Sequence, residues 1–516
     1  MAITPIPRTQ AYPFPLDGVT RDANGVARYD GLPKSLLAML KAQVDSRPDT
    51  EALVELGGRR LTYRQLWDAA ARVAGGLHRA GLRPGDRVAV RYPAGTNWVL
   101  AFWGTLLAGG ITVAVNTRWA PPEVEFALAD SAATIDLAPD TPLPDADPVE
   151  PIGAGPDDVA AIFYTSGTTG RPKGVPTTHH AFLSNAESMA RALFLDSRAE
   201  SSEDGSELRT LISVPLFHVT GCNSQLIVAA YLGGAAVIMP ALDLTALIEA
   251  LPAERISFLV TVPAVYALML RHPAFAGADT SGVRWVGYGG APIAPSLVLA
   301  LKSAFSSSMV SNGYGMTESA SLMTSLPDSD AVEHADSVGY AVPVVDLAVD
   351  SIGDDPQVGE LLARGPNVLA GYWQRPEATA RAFTGGWLRT GDVVRVDDAG
   401  RVHIVDRLKD IIIRGGENVA SVEVEDALAT APGVAEAAVI AVLDEVMGEK
   451  VGAVLVPIAG QEIDVDQVIA HCRERLADFK VPQFIAVVPG PLPRNAGGKL
   501  LKARLRDDVH WGPPLR

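Results

Sequence analysis

The chain has 516 residues, of which 48% are apolar, and carries a formal charge of −17. That length exceeds one ordinary domain and predicts a large domain with a smaller companion. The acidic balance argues against nucleic acid and against anionic membrane surfaces as partners. Two cysteines, Cys222 and Cys472, lie far apart with no metal-ligand spacing, which predicts free thiols in a reducing cytoplasm.

In chain order, the proline-rich start from Met1 to Val19 lacks the apolar stretch of a signal peptide. Short apolar strands are predicted at Arg87–Tyr92, Ile111–Asn116, Val159–Tyr164, Leu211–Val214, Ala235–Met239, Ile256–Val260, Arg284–Tyr288 and Met309–Gly313. Amphipathic stretches such as Asp243–Glu254 and Ser296–Phe305 alternate with them, so the fold class is α/β with largely parallel sheets. Two runs, Tyr92–Thr117 and Thr210–Leu242, hold no charged residue. Glycines, Pro215, His218 and Asn223 interrupt them, so they read as buried helices and strands, and no integral membrane segment is expected. Beyond Asp406 a charged link, Arg407-Leu-Lys-Asp410, leads into a compact α+β pattern: helix Val422–Ala429, strands Ala435–Val442 and Val451–Pro457, helix Val465–Ala477.

The most informative stretch is Tyr164-Thr-Ser-Gly-Thr-Thr-Gly-Arg-Pro-Lys-Gly174. The hydroxyls of Thr165, Ser166, Thr168 and Thr169 suit phosphate oxygens, and Lys173 adds a mobile positive charge. Gly167, Gly170 and Gly174 let backbone approach closely. The predicted context is strand, loop, then a helix from His180 with Thr178 as its N-cap. This is not the usual P-loop, because Lys173 follows Arg171-Pro172 and Pro172 forbids a helix there.

Gly313-Tyr-Gly-Met-Thr-Glu318 follows a strand. Tyr314 offers a flat face to a base, Thr317 a hydroxyl to a phosphate, and Glu318 a hard oxygen ligand to Mg²⁺. Taken alone, the segment is more often an ordinary Gly-Tyr turn. Gly289-Gly290-Ala291 is a tight turn or a backbone surface for a ligand. Asp392, in Thr390-Gly-Asp, is a turn residue or a bidentate acceptor. Lys499 sits in a glycine-rich segment, where a lysine is ordinarily solvated, and His218 is a lone histidine in an apolar run.

Together these strings resemble the signature motifs of the adenylate-forming superfamily: acyl-CoA and aryl-CoA ligases, luciferases and the adenylation domains of peptide synthetases. The resemblance runs from about residue 45 to about residue 505. It implies that residues 165–170 and Lys173 hold the polyphosphate of ATP. Gly289, Gly290, Ala291, Asn312, Gly313, Tyr314, Gly315 and Met316 would line the adenine and the acid. Asp392 would hold the ribose hydroxyls, Arg407 the ribose or phosphate, and Glu318 the Mg²⁺. Lys499, His218, Thr317 and Glu318 would be the catalytic set. Lys409 matches the pivot, while Gly415, Gly416 and Glu417 would line the pantetheine tunnel. The implied fold is a large N-terminal multi-sheet α/β domain, 1–408, followed by a mobile α+β domain, 409–516.

The function implied is an ATP-dependent acid–thiol ligase acting on a fatty or other apolar acid, passing through acyl-AMP to acyl-CoA. An amino-acid substrate is disfavoured, because Leu216, Phe217, Val219 and Thr220 supply no carboxylate for its amino group. The alternatives are an aryl-acid CoA ligase, an acyl-AMP ligase loading a carrier protein, or, from another class, a nucleotide-binding pseudoenzyme. The last conflicts with the joint presence of Lys173, Thr317, Glu318, Asp392, Arg407 and Lys499. A monomer or homodimer is expected.

Overall fold

The computed structural model describes residues 3–165, 172–195, 208–291, 293–351, 355–414, 417–444, 446–494 and 500–515. Among these residues the first four-fifths of the chain build three large sheets and a two-stranded ribbon, Val19–Arg21 with Ala27–Tyr29. Two are mainly parallel and flanked by helices. One, of nine strands, runs Tyr340–Ala341, Ser321–Leu326, Met309–Met316, Trp285–Gly289, Phe258–Thr261, Arg209–Ile212, Ala235–Ile238, Glu51–Glu55 and Arg60–Thr62. The other, of five, runs Lys173–Thr178, Val159–Thr165, Ile111–Ala114, Arg87–Val90 and Ile135–Leu137. Strands buried on both faces need continuous apolar runs, which is why these segments stand out in the sequence. The expected α/β class is what is found.

The third sheet departs from expectation. It is antiparallel and built from Asp346–Ser351, Val358–Arg364, Trp387–Val396 and Val402–Arg407, with two short strands at its margins. Its strands carry arginine and acid partners between apolar positions, for example Arg389 on Asp350 and the buried Glu360, so no unbroken apolar run announces them.

The uncharged run 92–117 resolves into helix Thr96–Leu107 and strand Ile111–Ala114. Trp98, Phe102 and Trp103 of that helix are fully buried, and truncating either tryptophan to alanine should cost about 3–5 kcal/mol. Among the described residues no helix is long and apolar enough to cross a membrane.

The glycine-threonine segment also differs in context. It joins Val159–Thr165 to a second strand, Lys173–Thr178, and only then does helix His179–Ala192 begin. Lys173 pairs with Thr165 and Gly174 with Tyr164, so the two strands form an antiparallel hairpin. Pro176 tolerates this position because the strand lies at the sheet edge. Thr178 does cap the helix, accepting the Ala181 amide at 3.1 Å.

After Arg407 the chain leaves these sheets. Strands Ile412–Arg414, Glu417–Val419, Gly448–Pro457, Val434–Asp444 and Phe484–Val487 form a separate sheet, with helices Ser421–Ala429 and Val465–Arg473 beside it. Both cysteines are free and buried, one in each part of the chain.

Candidate functional site

Lys173 and Thr165 stand opposite one another at the mouth of the hairpin. Ser166, Gly167, Thr168, Thr169 and Gly170 lie outside the described residues. Lys173 extends its ammonium over the ring of Tyr372, 4.8 Å from the centroid.

The strand Met309–Met316 delivers the second group. Gly289 and Gly313 pair across adjacent parallel strands, so close that a β-carbon on Gly289 would lie 2.2 Å from the Gly313 carbonyl. Gly290 has φ +75° and, with Ala291, is exposed beyond the strand end. Asn312 donates its amide to the Ser337 carbonyl at 3.2 Å. Gly315 has no room for a side chain, since a β-carbon there would fall 1.5 Å from the Ser321 carbonyl. Met316, half-buried, packs towards the core, and a short 3-10 turn, Thr317–Ser319, follows. It ends in two residues at positive φ, Ala320 at 52° and Ser321 at 118°. Backbone this far from the usual wells persists only when its surroundings hold it.

The supports are visible. Asn223 donates to the Ala320 carbonyl at 3.0 Å, and Ser224 and Ser321 share a hydroxyl contact of 2.6 Å. Asn367 donates to the carbonyls of Ser319 and Leu322 at 2.8 and 2.9 Å. Glu318 is thereby pinned, the residue 7% exposed, and Tyr372 donates to its Oε1 at 2.9 Å. Burial pushes this carboxyl above its ordinary range, although Tyr372, Lys173 and Arg407 pull the other way. Thr317 and Glu318 also line a cavity of about 210 Å³, walled by polar and apolar groups alike, that reaches Arg28, His180 and Asn367.

Asp392 is brought to the same region by the antiparallel sheet, at a bulge where Gly391 adopts φ +73°. Its Oδ2 accepts from the Tyr314 hydroxyl at 2.5 Å, and its Oδ1 forms an ion pair with Arg407 Nε at 2.5 Å. Asp392 and Arg407 are directly paired neighbours across two strands.

His218 ends a loop after strand Arg209–Ile212 and opens a run of helical turns that includes a π-turn, Cys222–Leu226. The Phe217 ring lies 4.8 Å from the imidazole, and Nε2 has no hydrogen-bond partner among the described residues. Burial holds the imidazole down to about 4, with Arg118 adding to the effect, so it is neutral near pH 7. The same π-turn carries Asn223 and Ser224, so the histidine segment and the Thr317–Ser321 turn are hydrogen-bonded to each other.

At the junction with the C-terminal sheet, Lys409 is exposed and Asp410 buried. Arg506 donates to the Lys409 carbonyl at 3.3 Å and to Asp410 Oδ1 at 2.9 Å. Gly415, Gly416, the Glu417 side chain and Lys499 lie outside what the structure describes. Arg494 and Leu500, which flank the last of these segments, form an isolated antiparallel bridge.

The structure thus gathers Lys173, Tyr314, Glu318, Asp392 and Arg407, residues from distant parts of the chain. Sequence reasoning missed Asn223, Asn367 and Tyr372. A faint signal existed: Gly365-Pro-Asn367 and Gly371-Tyr-Trp373 are turn residues and aromatics without a strand or helix period.

The protein donor available to a magnesium ion at this turn would be one buried carboxylate, Glu318, and among the described residues no cluster of three acidic, histidine or cysteine side chains occurs. That fits an ion that keeps several waters and takes its remaining ligands from substrate phosphates.

The chain is similar to several known proteins along most of its length. A feruloyl-CoA synthase of Amycolatopsis sp. is 36% identical over 477 residues, covering 88% of this chain and 95% of that protein. A long-chain-fatty-acid–CoA ligase of Mycobacterium tuberculosis is 36% identical over 510 residues, covering 92% and 98%. The o-succinylbenzoate coenzyme A synthetase of Bacillus subtilis, solved with ATP and a magnesium ion, superposes with a TM-score of 0.81 at 28% identity. That alignment covers 91% of this chain and 99% of that one. The AMP-binding enzyme model matches residues 40–152 and 136–373, and the AMP-binding enzyme C-terminal domain model matches 423–499. With most of its length accounted for in this way, the chain belongs to the AMP-binding enzyme family.

Proposed function

We propose that this ATP-dependent acid–CoA ligase activates a carboxylic acid with an apolar body, aliphatic in the first reading, in a pocket beside His218. One observation carries this: the uncharged helical run after His218 is hydrogen-bonded directly to the turn that holds the buried Glu318 carboxylate. An acid seated by the first would lie near nucleotide held by the second.

Tyr314 would stack on the adenine, with Gly289, Gly290 and Ala291 beside it, and Asp392 would accept the ribose hydroxyls. Thr165 and Lys173 would meet the polyphosphate together with residues 166–170. The acid's carboxylate oxygen attacks the α-phosphorus, the bond to pyrophosphate breaks, and the electron pair leaves with pyrophosphate. Two anions approach in that step, so local cations decide its rate. Lys173 supplies one, and we assign a second to Lys499 on the family resemblance. Glu318 would hold magnesium, which when bound would supply charge neutralisation on the phosphate oxygens. The CoA thiolate then attacks the acyl carbonyl and AMP leaves. We place Gly415, Gly416 and Glu417 at this second step, and Lys409 at the pivot between residues 1–408 and 409–516.

A neutral His218 suits an apolar acid, since it adds no charge to attract a second carboxylate. An aryl acid is the second reading, supported by Phe217 against the imidazole and by the feruloyl-CoA synthase relative. The two buried free thiols support a cytoplasmic setting. The test is kcat/KM across straight-chain, aryl and dicarboxylic acids, following pyrophosphate and thioester separately. Highest efficiency with a dicarboxylic acid would overturn the apolar assignment, and pyrophosphate without thioester would point to a carrier-protein acceptor.

A further inference from the structure

The loop 365–373 is strung between the two halves of the phosphate region. At one end Asn367 grips Ser319 and Leu322, and the Leu369 amide donates to the Glu318 carbonyl at 2.8 Å. At the other end the Trp373 amide donates to the Gly174 carbonyl at 2.8 Å. Gly174 permits this approach, as a β-carbon there would lie 3.1 Å from Trp373 Cβ. Tyr372 therefore arrives with fixed backbone on both sides, its own amide donating to Thr379 Oγ1 at 2.9 Å. Its hydroxyl donates to Glu318 Oε1, and its ring face lies under the Lys173 ammonium. This single side chain thus joins the proposed metal-binding carboxylate to the proposed phosphate-binding lysine.

We propose that Tyr372 is a positioning residue for the metal-bound polyphosphate: its hydroxyl occupies one oxygen of Glu318, leaving Oε2 for magnesium, and its ring holds Lys173 in place. The proposal rests on the reading of Glu318 as the metal ligand. A carboxylate presents two equivalent oxygens, and a donor on one fixes which is offered and at what angle, as outer hydrogen bonds do for metal ligands generally. The ring contact is the weaker interaction. It keeps the ammonium near the hairpin mouth yet yields to a phosphate, whose charge-assisted bond is stronger.

The test uses Mn²⁺ in place of Mg²⁺, with free ion followed by electron paramagnetic resonance in the presence of a non-cleavable ATP analogue. Tyr372→Phe keeps the ring and loses the hydroxyl. It should raise the Mn²⁺ half-saturation about tenfold, the scale of one hydrogen bond to a charged group. Tyr372→Leu should in addition raise the dissociation constant of the analogue severalfold. In the Glu318→Gln background, Tyr372→Phe should have no further effect on Mn²⁺, and this double-mutant cycle stands even if the single variant loses thermal stability. Wild-type Mn²⁺ affinity in Tyr372→Phe, with Glu318→Gln weakened, would overturn the proposal alone. Wild-type affinity in Glu318→Gln would overturn the metal-ligand reading as well.

Discussion

The Tyr314 hydroxyl and Asp392 Oδ2 lie 2.5 Å apart, joining two sheets through residues 78 positions apart in the chain. With Arg407 on the other oxygen, the carboxylate is held from two sides before any nucleotide arrives. Such preorganisation lowers the ordering cost of binding. Tyr314→Phe should therefore raise the KM for ATP about tenfold, with kcat little changed. Asp392→Ala should lower kcat/KM for ATP by about a hundredfold, because it also leaves Arg407 without this partner. Acid-dependent exchange of labelled pyrophosphate into ATP measures both.

Asn223 offers a test of the link between acid and phosphate regions. Its amide holds the Ala320 carbonyl beside the positive-φ pair at 320–321. Asn223→Ala should destabilise the fold by about 1–3 kcal/mol and lower kcat for adenylate formation while leaving the KM for ATP nearly unchanged. Chemical denaturation and single-turnover kinetics separate the two effects.

Gly315 admits no side chain, as the Ser321 carbonyl occupies the place of its β-carbon. Gly315→Ala must displace the Thr317–Glu318 turn or the strand that carries it. Pyrophosphate exchange should fall by at least about a hundredfold, as expected when reacting groups move by about 1 Å. A variant of unchanged rate would show that the turn does not set the geometry of the reaction.

Acid sensitivity follows from histidines. Burial holds His179 and His218 down to about 4, against an ordinary 6.5, and His179 Nδ1 must stay unprotonated to accept the Leu36 amide. The unfolded chain takes up their protons first as pH falls. Stability is therefore full above 6.5 and is lost between 6.5 and about 4, by up to about 3 kcal/mol for each group. His179→Asn should show a smaller fall in Tm than wild type between about pH 7 and about pH 5.

Much of this was legible in the residues. The parallel strands declared themselves because burial on both faces demands unbroken apolar runs, and Thr178 capped the helix it was expected to cap. The charged side chains of the site stood in short strings whose chemistry suggested a nucleotide. What was hidden depends on contacts across distant chain positions. The hairpin strand Lys173–Thr178 holds a glycine and a proline and reads as loop, yet it survives at a sheet edge. The antiparallel sheet alternates apolar and charged positions and so gave a weaker pattern. Tyr372 carries no charge and lies in a turn, and its meaning comes from Glu318 and Lys173, which no local pattern joins to it.

The family resemblance assigns Lys499 to the first half-reaction. Lys499→Ala should slow adenylate formation far more than thioester formation from supplied acyl-AMP, and equal losses in both would remove the lysine from the first step.

The most direct test of the central claim is to trap the nucleotide product in a single turnover with α-labelled ATP, magnesium and an accepted acid, with CoA withheld. The account predicts enzyme-bound acyl-AMP with one equivalent of pyrophosphate, converted to acyl-CoA and AMP when CoA is added. Release of ADP and orthophosphate, or no consumption of ATP until CoA is present, would contradict it.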